Sequence, residues 1–423
     1  MSGAADEAER SAQRWAESGL AWLTGEAGGE PLIPSAPIPL VADRALARLA
    51  ALAPAGAFNG LGGAELLAER AACQGHSRRG RIAPGGACRL LEARGGWLAA
   101  NLPRGDDARA LAAWLEDDAL AGCAAPLGDD TWREIAARVG VRGRDACVAR
   151  ARLLGLAVAP ADPPGASPEP WLRVAARGAS SAPRPRAAPL VLELGSLWAG
   201  PLAGRLLRVA GAHVTKLESS RRPDAARTGN SAFFDRLNEG KRSVALDFSE
   251  GGDRRRLLAL LERADVVIEG SRPRALAQLG ADAASWVRAR PGRVWLSLTG
   301  YGREAPCAEW VAFGDDAAAA AGLCWCVPRG APLFVGDAIA DPLAGLHGAL
   351  AALECWRNGE GGLLDVSLRG VTAWAIGVNG TARAAADPAR HPAKPPRLLG
   401  APAAPARALG ADTAAALREL ESA

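Results

Sequence analysis

The sequence predicts an α/β fold built on a parallel β-sheet, together with a small α/β domain ahead of it. In residues 188–378, short apolar runs alternate with segments whose apolar residues recur at helical spacing, which indicates successive βαβ units. Upstream, residues 85–102 indicate two strands joined by a turn at Arg94-Gly-Gly96, and residues 146–160 indicate a helix followed by a strand.

The strands of the parallel sheet are predicted in chain order. The first is Val191–Leu194, which a glycine-rich turn and a helix ending at Gly211 follow. The later strands are short apolar runs separated by turns or helical patterns: Val214–Glu218, Ser243–Phe248, Asp265–Glu269 and Val294–Leu298. Ligands bind beyond the carboxyl ends of the strands in sheets of this kind, so the loops after these strands are expected to face one crevice.

The loop after the first strand is not predicted to bind a dinucleotide. Gly195, Gly200 and Gly204 do not have the G-x-G-x-x-G spacing, and no G-K-[S/T] of a P-loop follows. Close packing of a helix against a strand is the simpler explanation of these glycines.

Asp341 is the most informative single residue. Gly345 follows it by four residues, and an apolar helical pattern continues to Leu353. Because amides and the helix dipole stabilise an anion at the start of a helix, Asp341 is expected to be ionised, either as a nucleophile or as an ordinary N-cap. Asp337 is a rival nucleophile, whereas His347 is expected to pack within the helix.

Five motifs resemble, in the same order, those of the family III CoA-transferases (the CaiB/BaiF family, which includes formyl-CoA transferase and the α-methylacyl-CoA racemases). The resemblance covers about residues 188–376 and implies a Rossmann-like catalytic domain of family III CoA-transferase type. It also implies that Asp341 attacks an acyl-CoA thioester, with coenzyme A as a substrate, no permanently bound cofactor and no metal. The motifs are Leu194–Gly204, Gly211–Glu218, Leu237–Asp247, Ala264–Leu276 and Ile339–Leu346.

The chemistry that the resemblance implies is an acyl-CoA:carboxylate CoA-transferase. Attack by a carboxylate on a thioester gives a mixed anhydride and releases the CoA thiolate, and a second carboxylic acid then takes over the CoA through an aspartyl-CoA thioester. Each tetrahedral oxyanion needs fixed donors, which we expect from backbone N–H groups of the glycine-rich loops.

The resemblance further implies CoA-binding positions in three loops. The family usually has Asn-Phe where this chain has Gly270-Ser271, although two arginines nearby offer positive charge for phosphates. Ordinary strand packing or surface exposure is the alternative for every one of these positions. They are Ser196, Leu197 and Trp198 at the thioester end, Leu246, Asp247, Phe248 and Ser249 beside the nucleotide, and Gly270, Ser271, Arg272 and Arg274.

Two other functions stay open. The racemase branch of the family has Gly-His-Asp where this chain has Gly314-Asp315-Asp316, and proton exchange at a carbon needs two acid–base groups. Without the histidine a transferase is favoured over a racemase-type enzyme. A non-catalytic CoA-binding partner subunit is the other alternative.

The segments are expected in an order rearranged relative to the family. Residues 1–57 resemble a partial copy of the catalytic domain, in which Asp43 is expected to be a helix N-cap, with a catalytic part left open. An unrelated upstream domain is the alternative. The other expected segments are the small α/β domain (58–160), a Pro/Ala-rich linker (161–187), the catalytic domain (188–378), and a linker with a C-terminal helix (379–423).

The composition is typical of a soluble enzyme. The 50 basic and 46 acidic residues are interleaved, so no nucleic-acid-binding stripe is predicted. Eight cysteines without paired zinc spacing predict reduced thiols in the cytoplasm, and neither a signal peptide nor a membrane span is evident. The expected partners are an acyl-CoA, a small carboxylic acid and, from the resemblance, a second copy in a homodimer.

Overall fold

The structure is a computed structural model that describes residues 2–165, 170–184, 187–327, 330–378, 388–400, 402 and 404–422. Parts of the two expected linkers, 161–187 and 379–423, lie outside the described residues. The described chain forms a large, mostly parallel sheet and a small antiparallel sheet, with helices around both.

The strands are β1 (Cys88–Ala93), β2 (Gly96–Asn101), β3 (Ala157–Pro160), β4 (Arg173–Gly178), β5 (Leu190–Leu194), β6 (His213–Ser219), β7 (Arg242–Leu246), β8 (Val266–Glu269), β9 (Val294–Thr299) and β10 (Gly361–Ser367). The helices are α1 (Ser2–Glu17), α2 (Ile38–Ala51), α3 (Gly63–Leu66), α4 (Glu69–Gln74), α5 (Gly105–Arg109), α6 (Leu111–Leu115), α7 (Asp129–Gly140), α8 (Arg144–Leu153), α9 (Ala199–Val209), α10 (Ala226–Gly229), α11 (Ser231–Asn238), α12 (Gly251–Arg263), α13 (Pro273–Gln278), α14 (Ala283–Ala289), α15 (Gly314–Ala320), α16 (Ala340–Arg357), α17 (Leu368–Gly377) and α18 (Thr413–Glu421). Short 3₁₀ turns occur at Asp118–Leu120, Cys307–Glu309, Leu323–Trp325 and Pro388–Arg390.

The large sheet confirms the predicted α/β class. Its order is β7-β6-β5-β8-β9-β10-β4, and every pairing is parallel except that of β4 with β10. Numbered along the chain from β5, this is the 3-2-1-4-5-6 order of a Rossmann-like sheet. The order reverses between β5 and β8, where Leu194 lies opposite Glu269, so the loops after these two strands flank the expected ligand crevice.

Helices cover both faces of this sheet. Val266 and Ile268 of β8 belong to a core shared with α9 and α16, whereas Val267 belongs to a second core with α12 and α14. Successive side chains of a strand point to opposite faces, so a strand buried on both faces needs a continuous apolar run. Accordingly, β8 and β9, which are buried along their whole length, consist mainly of apolar residues.

The segment expected to be an extended linker, 161–187, contains a strand. Its described residues include β4, which pairs antiparallel with β10 at the edge of the large sheet. Proline and alanine are frequent around β4, but Arg173–Gly178 itself has no proline and is therefore free to donate to a ladder. The prediction of a linker was therefore wrong for Arg173–Gly178, which belong to the sheet.

The small sheet, β1-β2-β3, is antiparallel and is covered on one face by α6, α7 and α8. Its other face packs against Ala319 of α15 and against Cys324 and Phe334. Helices α2, α3 and α4 do not join this small core, although α3 and α4 fall in the segment expected to be the small domain. They contribute to the large core that contains α9 and α16.

In the described parts of the chain, no helix combines the length and apolar character needed to cross a bilayer. All eight cysteines are free thiols. No three His, Cys, Asp or Glu side chains among the described residues are grouped so that they could hold a metal ion.

Candidate active site

A cavity of about 260 Å³ opens where the small sheet and α4 meet the carboxyl ends of the large sheet. Two parts of the chain line it, residues 70–103 and residues 197–341. We call it the inner cavity. Its polar lining side chains are Arg70, Gln74, Asn101, Asn230, Asp315 and Asp341, and its aromatic ones are Trp198, Phe233 and Phe313.

A wider groove of about 590 Å³ adjoins the inner cavity, since Pro103, Leu197, Ala225 and Phe313 line both. We call it the outer groove. It lies over the loops after β5, β8 and β9, as the sheet topology predicts. Together the two spaces form a crevice with a narrow inner end and a broad outer end.

Asp341 lies at the narrow end, in the first turn of α16. Its Oδ2 accepts a hydrogen bond of 3.1 Å from the backbone N–H of Gly314, which belongs to α15. The N-cap of α16 is Ile339, so the alternative interpretation of Asp341 as an N-cap of its own helix is wrong. A Cβ at Gly314 would lie 2.6 Å from Oδ2, so glycine is what permits this close approach.

The charge of Asp341 differs from the sequence-based expectation. Burial raises the pKa of the Asp341 carboxyl to about 7, and the carboxylates of Asp315 and Asp337 add to the rise, while Arg70 and the Gly314 N–H oppose it. The helix terminus alone would favour the anion, but the loss of water around the carboxyl outweighs it. At neutral pH the Asp341 anion is therefore less favoured than that of an exposed aspartate.

Gly345 brings Asp341 to this position. It lies one turn further along α16, and a Cβ there would lie only 2.6 Å from the carbonyl oxygen of Ala199 at the start of α9. Glycine thus lets the first turns of α9 and α16 pack side by side. This packing gives a physical reason for the spacing between Asp341 and Gly345.

Asp337, the rival nucleophile, is buried and fully engaged. Its two oxygens accept hydrogen bonds from Nη2 and Nε of Arg70, at 2.5 and 2.8 Å, and Nδ1 of His76 lies 3.2 Å from Oδ2. Burial would raise the pKa of Asp337, but the charge and hydrogen bonds of Arg70 outweigh it and hold the pKa well below its usual value. Asp337 therefore acts as a structural anion in this arrangement.

Asp315 is a second carboxyl of the inner cavity. Its Oδ1 accepts a hydrogen bond of 2.9 Å from the N–H of Ala338, a residue held at a left-handed φ of 47°. Burial and the Asp337 charge raise the pKa of Asp315 to about 6, against the effect of Arg70. Strained backbone next to two carboxyls with raised pKa values is typical of a functional site.

The loop after β5 separates the two spaces. Leu197 has a left-handed φ of 66°, and its N–H donates to both oxygens of Asp224, at 3.1 and 3.2 Å. The buried Lys216 supports this loop from beneath through the carbonyl oxygen of Gly195, at 2.7 Å, and through Asp224. Ser196 lines the outer groove, whereas Trp198 lies against the inner cavity.

The loop after β8 lines the outer groove with Gly270, Ser271 and Arg272. Arg272 and Arg222 also line it, and neither forms an ion pair with a carboxylate of the described residues. Burial and the neighbouring charge of Arg274 lower the pKa of Arg272. Arg274 itself pairs with Glu309 at 2.8 Å and does not line the groove.

The loop after β7 lies away from both spaces. Leu246 is buried in the core, and Asp247 accepts hydrogen bonds from Ser249 and Arg221, both at 2.6 Å. Phe248 packs against the second core of the sheet. The structure therefore does not bring these four predicted CoA-binding residues, 246–249, to the inner cavity or the outer groove.

Two further predicted residues have structural contacts. Asp43 lies inside α2, and Nε and Nη2 of Arg14 donate to it at 2.7 and 3.2 Å. It therefore does not cap α2, but its Oδ1 accepts a hydrogen bond of 3.0 Å from the N–H of Ala64 in the first turn of α3. His347 is buried between Trp171 and Trp374, and burial lowers its pKa to about 4. The prediction that His347 is a packing residue is confirmed.

No local pattern in the sequence indicates that Arg70 and His76 belong to the site. They lie more than 260 positions before Asp337, and only the packing of α4 against the catalytic half brings them there. Their neighbour Glu69 fixes α4 by pairing with Arg205 of α9 at 2.6 Å and Arg236 of α11 at 2.5 Å.

Comparison with known proteins matches residues 189–406, just over half of the chain, to the family model of CoA-transferase family III. Similar proteins include an acetyl-CoA:oxalate CoA-transferase of Acetobacter aceti, 30% identical over 42% of this chain and 49% of that protein, and a succinate–glutarate CoA-transferase of Agrobacterium fabrum, 29% identical over the same shares. A CaiB/BaiF family protein of Brucella suis is 30% identical, with a TM-score of 0.42, over 45% of this chain and 55% of that chain. The chain spans about half the length of the curated relatives it matches. With more than half of its residues matched by the family model, the chain belongs to CoA-transferase family III.

Proposed function

We propose that the protein transfers CoA from an acyl-CoA to a carboxylic acid, with Asp341 as the nucleophile. The observation that carries this proposal is the position of Asp341 at the narrow end of a crevice whose broad end holds Arg222 and Arg272, which pair with no carboxylate of the described residues. A pantetheine arm is long and thin, and the nucleotide to which it is attached is broad and anionic. The shape and the charge of the crevice match such a ligand.

In the proposed reaction the Asp341 carboxylate attacks the thioester carbonyl, the C–S bond breaks, and CoA leaves as a thiolate. The thiolate then attacks the aspartyl carbonyl of the anhydride and releases the donor acid, which leaves an aspartyl-CoA thioester. An acceptor carboxylate attacks that thioester and expels the thiolate, which gives an anhydride between Asp341 and the acceptor. The thiolate finally attacks the acceptor's acyl carbon in this anhydride, which forms the new acyl-CoA and restores the Asp341 carboxylate. No oxidant or reductant is needed.

We assign the donors for the tetrahedral oxyanions to the start of α9, whose N-cap Trp198 lines the same cavity as Asp341. The backbone N–H groups of Trp198 and Ala199 at the start of α9 have no acceptor within the described parts of the chain. Close packing at Gly345 holds this end of α9 against the turn that carries Asp341. Fixed amides in a site shielded from water stabilise a developing negative charge strongly.

The phosphates of CoA are assigned to the outer groove. Arg222 and Arg272 line it without a carboxylate partner among the described residues, and Arg272 is close enough to Arg274 and Arg104 for their charges to lower its pKa. Like charges held together are costly unless an anion joins them. Phosphate groups supply that anion, and arginine binds them with a forked geometry.

The size of the inner cavity favours small acids as acyl donors and acceptors. Its volume of about 260 Å³ is enclosed by Trp198, Phe233 and Phe313 on the apolar side. Two further parts of this proposal are a homodimer, which rests on the family resemblance, and a cytoplasmic location, which rests on the eight cysteines without paired zinc spacing.

A second candidate function is proton exchange at the α-carbon of an acyl-CoA. The observation that favours it is the presence of two carboxyls with raised pKa values, Asp315 and Asp341, in the same cavity. Proton exchange needs one group that removes the proton and one that returns it, and two such carboxyls can provide both, whereas a single carboxyl cannot. Incorporation of deuterium at the α-carbon without CoA transfer would favour this function.

The test of the proposal is CoA transfer from acetyl-CoA or succinyl-CoA to a panel of small acids. We expect turnover by the native protein and loss of at least about 10³-fold in Asp341→Asn, because the amide is a poor nucleophile. Asp43→Asn is the matched control, since Asp43 is paired with Arg14 outside the cavity. CoA binding without turnover on any donor would contradict the proposal and favour a non-catalytic subunit.

A further inference from the structure

We propose that Arg70 binds the carboxylate group of the acceptor acid, through the edge of its guanidinium that Asp337 leaves free. The inference rests on the proposed function and adds to it a residue from the N-terminal part of the chain, which the family model does not match. Four observations support it.

The first is the charge balance of the inner cavity. Arg70 is the one cationic side chain among the described residues that line it, and Asp315 and Asp341 line it as well. A free carboxylate that enters a cavity already containing two carboxyls meets repulsion and loses its water. Entry therefore requires a cation at the wall, and Arg70 provides it.

The second is the hydrogen bonding of the guanidinium. Nε and Nη2 each donate to one oxygen of Asp337, at 2.8 and 2.5 Å. A guanidinium carries five N–H donors, so three remain. Within the described residues no acceptor takes a hydrogen bond from Nη1, which leaves one forked edge for an oxygen of a ligand.

The third is that this edge is held rigidly. Asp337 is itself buried, and Nδ1 of His76 lies 3.2 Å from its Oδ2. The guanidinium also lies 5.2 Å from the centroid of the Trp198 ring, which packs edge-on against Phe233. A cation fixed by an ion pair and an aromatic face needs little ordering when a ligand arrives.

The fourth is the chemistry of the second half-reaction. One oxygen of the acceptor carboxylate must attack the aspartyl-CoA thioester while the other oxygen keeps a share of the negative charge. Arg70 shares the cavity with Asp341, so it can hold the non-attacking oxygen and orient the attacking one. The C–O bond then forms, the C–S bond breaks, and the thiolate leaves with the electron pair, with no proton transfer required.

The test compares a charged with a neutral nucleophile on the same loaded enzyme. The full chain is loaded with CoA from acetyl-CoA, separated from small molecules, and treated with acetate, succinate or oxalate, or with neutral hydroxylamine. Loss of the CoA adduct is followed by mass spectrometry. In Arg70→Met the rate with carboxylates is expected to fall at least about thirtyfold, while the hydroxylamine rate stays within about twofold of the native value.

An effect of Arg70 on the ionisation of Asp341 cannot influence this comparison, because Asp341 is already joined to CoA in a thioester when the nucleophile is added. Arg70→Lys keeps the positive charge but lacks the paired N–H donors of a guanidinium, so we expect a smaller loss of the rate with carboxylates. If Arg70→Met does not fold, the double variant Arg70→Met/Asp337→Asn removes both charges of the pair and is expected to show the same selective loss.

Arg14→Met is the matched control. Arg14 forms the same kind of two-point pair, with Asp43, but lies outside the inner cavity. We expect its ratio of carboxylate to hydroxylamine rates to be native. If Arg70→Met loses rate equally with both nucleophiles, or loses rate with neither, the inference about Arg70 is overturned but the proposed function is not. If the native protein never acquires CoA, the proposed function is overturned as well.

Discussion

Alanine at position 345 tests whether contact between two helices sets the position of the nucleophile. In the structure, a Cβ at Gly345 would lie 2.6 Å from the carbonyl oxygen of Ala199 and 3.1 Å from Cβ of Leu202. The nearest atom belongs to the backbone of α9, so it cannot rotate aside as a flexible side chain would. Gly345→Ala must therefore push α16 away from α9.

The size of the effect follows from the distances. Restoring ordinary contact at 3.4 Å from 2.6 Å requires a movement of about 0.8 Å. Overpacking of this kind costs about 1–3 kcal/mol, and the higher helix propensity of alanine returns up to about 1 kcal/mol. We expect a net loss of about 1–2 kcal/mol in stability and, because a displacement near 1 Å misaligns the attack, a loss of up to about a hundredfold in rate.

The assay is the rate at which acyl-CoA converts the protein to its CoA adduct, measured together with the midpoint of thermal unfolding. Gly348→Ala, in the same helix, is the matched control. Its Cβ would meet only the methyl carbons of Leu296 and Leu298, at 3.0 and 3.1 Å, which can yield. If Gly345→Ala keeps its rate within about twofold, or loses no more than Gly348→Ala, the reasoning about helix contact is refuted.

Two other predictions concern charge. Because burial raises the pKa of Asp341 to about 7 and the nucleophile is the anion, kcat/KM for acyl-CoA is expected to fall about tenfold per pH unit below 7 and to level off above it; a profile that stays flat down to pH 5 would contradict this. Replacing Arg222 and Arg272 by Met is expected to raise KM for acyl-CoA at least about tenfold with little change in kcat, and to weaken its dependence on salt. Unchanged KM in that double variant would exclude the outer groove as the phosphate site.

The sequence predicted β5 to β9 of the parallel sheet because each of these strands is encoded locally, but it did not predict β10. A strand buried on both faces, such as Val294–Thr299, consists mainly of apolar residues, and the turns and helices between such strands have their own signals. The crevice at the strand ends followed from topology alone. The position of Asp341 in the first turn of a helix was encoded in the same local way.

The remainder of the site could not be predicted because distant parts of the chain build it. Arg70 and His76 reach Asp337 only through the packing of α4, which the ion pairs of Glu69 with α9 and α11 hold in place. No periodicity or spacing in the sequence joins positions so far apart.

Local reasoning was wrong where the environment outweighs local propensity. Asp341 was expected to be ionised by its helix, but burial and neighbouring carboxylates raise its pKa. The strand β4 was missed because prolines surround it, and its formation depends on the ladder that β10 offers. Both errors arose because the tertiary surroundings of these residues are not visible in short windows of sequence.

Peptide mass spectrometry after incubation with acyl-CoA identifies the residue that forms the covalent intermediate. We expect a mass increase equal to CoA less one water on the peptide that contains Asp341, with fragment ions that place the increase beyond Asp337. We also expect the increase to be absent in Asp341→Asn and to disappear on treatment with hydroxylamine. An increase on Asp337, on Asp43 or on a cysteine, or a native protein that turns over without any adduct, would contradict the assignment of Asp341 as the nucleophile.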